Sequence, residues 1–186
     1  NNHESLKEIF SLIFPEFKYL ERLKKLNEIS NQSYFNKKIL LAILLVDGTN
    51  NHEYFSHKYN ISNDLKESLN FLANNFIKFH ENKKFFQKDL KKNIFYFGEK
   101  NLRILNLINF SNNKKYKLQD FLKTSKIIQE ISLPKFPFDG NYLKIRGVKE
   151  GIAIGQVLKL LENEWLNNDF KISDQKISQI INDRNN

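Results

Sequence analysis

The residues that bend or stop a chain most sharply are scarce here and gathered in one place. Of six Gly, three Pro and one Trp, the stretch from Pro134 to Trp165 holds Gly140, Gly147, Gly151, Gly155, Pro134, Pro137 and Trp165. Glycine permits positive φ and close backbone approach, while proline presets φ and stops helices, so together they describe a shaped turn feeding a helix. Ile154, Val157, Leu158, Leu161 and Trp165 then follow at i, i+3, i+4, i+7 and i+11, which is one apolar helix face. Lys144, Arg146 and Lys149 precede that helix, Lys159 lies along it, and a basic, glycine-lined helix start is a seat for phosphate.

Away from this stretch the apolar residues keep a helical period. Ser5 caps a first helix with Leu6, Ile9, Phe10 and Ile13 on one face, which Pro15 ends. Pro15 also suits the first turn of a second helix, with Phe17, Leu20, Leu23 and Leu26 on one side and Lys18, Arg22, Lys24 and Lys25 elsewhere, so the pair reads as a helical hairpin. The segment Asn36 to Val46 is apolar almost all round and should be the most buried helix, stopping at Asp47-Gly48. Ser62 precedes a long helix with Leu65, Leu69, Leu72 and Phe76. Helices from Gln87 to Phe97, closed by Gly98, and from Glu99 to Phe110 follow, and another carries Leu118, Phe121, Leu122, Ile128 and Ile131. Ile94-Phe-Tyr-Phe97 has β propensity but no hairpin partner. The expectation is an all-α chain of eight to ten helices, with a body-like region 1–115 and a tail-like region 116–186. The boundary falls at the polar segment Ser111 to Lys115 or in the Pro134 to Gly147 connection.

Composition narrows the chemistry. The hydrophobic fraction of 40%, with 17 Phe, is that of a folding chain, and the net charge of +9 points either to a polyanionic partner or to a lysine-rich codon bias. No cysteine is present, which excludes disulfides, thiolate zinc sites and a cysteine nucleophile and fits a cytoplasmic location. The longest apolar run, Ile39 to Val46, is far short of the ~20 residues of a membrane helix. No methionine is present either, even at position 1, so the chain is expected to be a segment of a longer protein.

No catalytic residue stands out. Gly-x-Ser-x-Gly and Gly-Lys-Ser/Thr are absent, as is the Asp-x-Asp pair of two-metal phosphoryl transfer. His52-Glu-Tyr-Phe-Ser-His57 imitates a zinc-hydrolase helix, but histidines at i and i+5 diverge by about 140° at ~100° per residue, so no metal is assigned to them. His3 and His80 read as ordinary histidines. Glu162, Glu164 and Asp169 read as a solvated helix face. What remains is binding of phosphate by Lys144, Arg146, Gly147, Lys149, Gly151, Gly155 and Lys159, unless the glycines serve helix packing instead.

Phe136-Pro137, Gly140, Leu143, Gly147-Val148, Gly151, Ile154-Gly155, Leu158, Leu161-Glu162 and Trp165 resemble, in order and spacing, the C-terminal region of bacterial CCA-adding tRNA nucleotidyltransferases of the poly(A) polymerase family. The chain departs from that pattern at Tyr142, where the family often has Asp, and at Glu150, where it often has Pro, so no role of that Asp is carried over. A weaker likeness covers Leu6 to Ile29, Asn36 to Val46 and Tyr59 to Leu65. The resemblance implies a helical body and tail that grips the acceptor and T arms of tRNA. A separate N-terminal head, absent from this chain, would use Mg²⁺ with CTP or ATP to extend the RNA 3′ end, and this segment alone would be inactive. Gly147-Val-x-x-Gly151 also resembles the helix-hairpin-helix turn that grips duplex DNA. A helical accessory protein with no nucleic-acid role is the third expectation.

Overall fold

The computed structural model describes residues 2–29, 35–82 and 84–185. Among them stand ten α-helices and no strand: α1 (Asn2–Ile13), α2 (Glu21–Leu26), α3 (Lys37–Leu45), α4 (Asn51–Lys58), α5 (Asn63–Glu81), α6 (Leu90–Asn112), α7 (Leu118–Glu130), α8 (Gly140–Ile145), α9 (Ile152–Asn167) and α10 (Asp174–Asn185). Ile94 to Phe97 is helical, within α6. No helix is long and apolar enough to cross a membrane among the described residues.

Contacts divide the chain into two compact units, Asn1–Ile131 and Ser132–Asn186. Of the two places that the sequence offers for a boundary, Ser111 to Lys115 and the Pro134 to Gly147 connection, the division lies just before the second; α7 stays with the first unit because it packs along α6, so regions 1–115 and 116–186 are not the units. Phe121 stacks on Phe110 at 4.9 Å, and Asn106 Nδ2 donates to the Phe121 carbonyl at 3.2 Å.

In the first unit α6 packs against α2, α3, α5 and α7, and its Leu102, Leu105, Ile108 and Phe110 are fully buried. Opposite them lie Ala42, Ile43 and Leu45 of α3, the helix whose all-round apolar sequence demands burial. Gly98 interrupts α6 with φ 75° and ψ 156°, so the two helices read on either side of it are two halves bent at one residue. The N-terminal half starts at Leu90 rather than Gln87, because Lys84 to Asp89 form turns.

The hairpin expected around Pro15 does not form. Residues 15, 16 and 18–20 are turns, Phe17 between them is irregular, and α2 begins only at Glu21. Two tertiary demands override the local helical period. Phe14 and Phe17 fold back on Phe10, with ring centroids 5.0 and 5.9 Å away, and meet Tyr59 and Phe55 of the α4 region. The Glu16 carbonyl, which a continuing helix would use for its own ladder, instead accepts from Asn51 Nδ2 at 3.0 Å. The α1 face is also less buried than its pattern suggests, since Ile9 and Ile13 are exposed. The side chains of His3 and Leu6 lie outside the described residues.

Glu16 itself is buried and accepts from Lys58 Nζ at 2.7 Å and Tyr59 Oη at 3.3 Å. Burial pushes its carboxyl up, but the Lys58 hydrogen bond, a bond from its own backbone and the Lys58 charge together outweigh that and hold it below the ordinary 4.5. A depressed folded-state pKa gives stability that is complete above the unfolded value and is lost as pH falls through the folded one. Acid titration of thermal stability should therefore show a decline below about pH 4.5 that is smaller in Glu16→Gln. Parallel curves for the two proteins would refute that assignment.

Candidate nucleic-acid interface

The second unit builds the glycine-rich stretch into two helices and a tight turn. Asp139 opens α8, its Oδ1 accepting from the Tyr142 amide at 2.8 Å. Gly147 closes α8 in the left-handed region at φ 82°, which lets the Val148 amide donate back to Leu143 O at 3.1 Å and the Gly147 amide to Lys144 O at 3.0 Å. Val148 then drops into a core of Leu143, Val157, Leu161, Ile177 and Ile181. Gly151, at φ 96° and ψ −136°, starts α9. Both glycines are set by backbone conformation and not by crowding, because a Cβ placed on either would meet no atom within 4 Å.

One face of α9 enters the core through Val157, Leu161 and Trp165, and Trp165 meets Phe136 and Phe170 edge-on at 5.4 and 4.8 Å. The solvent face carries Ile152, Gly155, Gln156 and Lys159 at i, i+3, i+4 and i+7. Thus Gly155 and Lys159 share one exposed stripe that begins at Gly151. Gly155 has no neighbour within 4 Å of a would-be Cβ, so close helix packing does not explain it.

The cations are not equivalent. Lys144 Nζ pairs with Glu150 at 2.9 Å, which holds the Glu150 carboxyl below its ordinary range and offsets the Lys144 charge. Arg146 lies 3.7 Å above the Tyr142 ring, and Lys149 projects from the turn. Among the described residues no carboxylate is within ion-pair distance of Arg146 or Lys149. The first-turn amides of α9 receive no side-chain cap, since Gly151 has none to offer. This arrangement can hold a phosphate by backbone N–H groups and two cations without reading a base.

Several features of the surface were not read from the sequence. Ile145 and Ile152, on either side of the turn, are 85% and 82% exposed. The spacing of Ile152 with Gly155, Gln156 and Lys159 carried the signal for the second of them. Helix α10 was also legible, from Ser173 before Ile177, Ile180 and Ile181.

The two histidines of α4 do diverge: His52 is buried and His57 is exposed. No group of three or more His, Asp or Glu that could hold a metal occurs among the described residues. No family model, curated protein or solved structure matches the chain.

Proposed function

We propose that this chain is the tRNA-binding helical body and tail of a CCA-adding tRNA nucleotidyltransferase or poly(A) polymerase of the cytoplasm, positioning an RNA 3′ end for a head that lies outside it. The observation that carries this reading is the α8–α9 turn. The residues that resemble the family's motif become, in three dimensions, the two left-handed glycines, the plug Val148, the core residues Leu143 and Leu161, and the exposed stripe of Gly155. On this reading Mg²⁺ and CTP or ATP belong to the head, and the role of this chain is to hold A-form backbone through phosphates and 2′-hydroxyls. The purified chain alone is expected to incorporate no nucleotide, and CCA addition by it would overturn that assignment.

The helix-hairpin-helix reading gains from the same geometry, because α8, a glycine turn and α9 are a helical hairpin. Salt-dependent titration of tRNA and of duplex DNA separates the two. Tighter binding of tRNA is expected, and equal affinity for duplex DNA would favour the hairpin module. No binding of either would favour the accessory protein. The double variant Arg146→Ala/Lys149→Ala should lower the log–log salt slope by about 2, at roughly 0.9 per phosphate contact. Gly155→Ala tests the stripe differently. Relieving a helix-interior glycine should stabilise the second unit by about 0.5–1 kcal/mol. The added methyl should nevertheless weaken tRNA binding if backbone passes over that position. A more stable variant with unchanged affinity would remove Gly155 from the interface.

A further inference from the structure

Positive charge is not concentrated where the glycines are. Residues 132–186 hold eight Lys and Arg against seven Asp and Glu, leaving 22 of the 30 basic and 14 of the 21 acidic residues to residues 1–131. One loop of that first unit both gathers cations and fixes their place. Between α6 and α7, Lys114, Lys115 and Lys117 fall within four residues, and no acid follows until Asp120. The Tyr116 amide donates to Asn113 O at 3.1 Å, Asn113 Oδ1 accepts from the Lys115 amide at 2.9 Å, and Asp120 Oδ2 accepts from the Lys117 amide at 3.3 Å. From α2, Lys25 Nζ donates to the carbonyls of Asn113 at 2.6 Å and Tyr116 at 2.9 Å, and lies 4.5 Å from the Phe110 ring centroid. Lys25 therefore ties both ends of the turn to α2.

That tie works against charge. Burial lowers the pKa of the Lys25 ammonium, and Lys117 lowers it again, against the opposing pull of Glu28. The negative end of α6 accounts for a cation here, but Lys25 already occupies the carbonyls. Lys114, Lys115 and Lys117 are exposed, and among the described residues no carboxylate is within ion-pair distance of them. Like charges gathered without acids to offset them are relieved by an anion from outside, and three separate cations match the repeated charges of a backbone. The loop has no platform for a base. Tyr116 is half-buried, its Oη 2.9 Å from Asn106 Oδ1 and 2.8 Å from Thr124 Oγ1, and Phe110 and Phe121 are buried. An unpaired strand, whose splayed bases need an aromatic face, fits poorly, whereas a duplex keeps its bases stacked and offers its phosphates.

We propose that the α6–α7 loop is a duplex-RNA contact of the first unit, with Lys114, Lys115 and Lys117 on backbone phosphates and Lys25 as the positioning residue that holds them in place. The choice of RNA over DNA rests on the tRNA reading. The loop itself lies outside every stretch that resembles the family, so the contact is carried by its own geometry.

The test is fluorescence anisotropy of the full chain with a labelled RNA hairpin whose stem is about twelve base pairs, and with a DNA duplex of the same sequence, across a salt series. Lys114→Ala/Lys115→Ala/Lys117→Ala should lower the log–log salt slope for RNA by about 2–3, at roughly 0.9 per phosphate, with affinity down about tenfold or more at low salt. Lys25→Met keeps the side-chain stem and loses the donors. It should weaken RNA binding roughly threefold to tenfold through the cost of ordering the loop, with the slope nearly unchanged, and Lys25→Arg should restore most of that loss. Placed in the triple variant, Lys25→Met should change affinity no further, a coupling that a merely structural residue would not show. A triple variant with the wild-type slope on RNA overturns the loop contact and leaves the tRNA reading standing, because Arg146→Ala/Lys149→Ala probes that reading separately. Equal wild-type affinity for RNA and duplex DNA overturns the RNA assignment of both, as does a wild-type chain that binds no RNA. A Lys25→Met loss as large in the triple variant as in the wild type overturns the positioning role. Matched thermal midpoints confirm that the variants remain folded.

Discussion

Leu161→Ala is expected to unfold residues 132–186 at room temperature, or to bring them to the edge of unfolding. The second unit is 55 residues long, and at roughly 0.05–0.15 kcal/mol per residue its whole stability is about 3–8 kcal/mol. Leu161 is fully buried in the middle of α9, within the cluster of Leu143, Val148, Val157, Ile177 and Ile181 that joins α9 to α8 and α10. Truncating a buried leucine costs about 2–5 kcal/mol, more when the cavity cannot collapse. Collapse is difficult here because residues from all three helices and from the turn line the site. Amide hydrogen exchange reads the result directly: α8, α9 and α10 should lose protection, while α3 and α6 keep theirs. Conservative Leu161→Met should lose less than about 1.5 kcal/mol. Protection in α9 that survives Leu161→Ala would mean that the α8–α10 packing is not what holds the turn.

That dependence explains why the Pro134 to Trp165 stretch was readable in advance. Its signals are local. Positive φ at Gly147 and Gly151 is a property of single residues, and the apolar face of α9 is a property of spacing within one helix. Helix α9 therefore follows closely from the sequence, down to the glycine that starts it, whereas α8 lies within what the sequence presents as a connection and α10 is not among the helices expected from it. By contrast, the segment after Pro15 has the same apolar spacing and yet bends, because Glu16 and Phe17 are claimed by Asn51, Lys58 and Phe55. Nothing within ten residues of Pro15 announces those partners. The same is true of charge. Lys144 and Glu150 are six residues apart, but their pairing depends on the path of the turn between them, so Lys144 looks as available in the sequence as Lys149 does.

Arg22 is the sharpest case of a residue whose role comes from distant chain, and removing it should cost the first unit about 3–5 kcal/mol. In the sequence it falls among Lys18, Lys24 and Lys25 and looks like part of a solvated basic side, yet on α2 it is 4% exposed. Its Nη1 donates to the carbonyls of Ile43 at 2.9 Å and Val46 at 2.7 Å, and its Cζ lies 3.9 Å from the Tyr19 ring centroid. Those acceptors sit at the C-terminus of α3, where carbonyls have no intrahelical partner and the helix dipole is negative. Ile43 and Val46 are fully buried, so water cannot take over the task.

Arg22→Ala therefore leaves two carbonyls unpaired in the core as well as an unfilled space. Arg22→Met separates the two effects. It restores most of the volume and none of the donors, and it should recover less than half of the loss. Arg22→Lys returns a cation with rotatable donors and should recover more. In a unit of this size 3–5 kcal/mol corresponds to a fall in thermal midpoint of about 10 °C or more. A methionine variant as stable as the wild type would show that volume alone was at stake, and that α3 ends without help from α2.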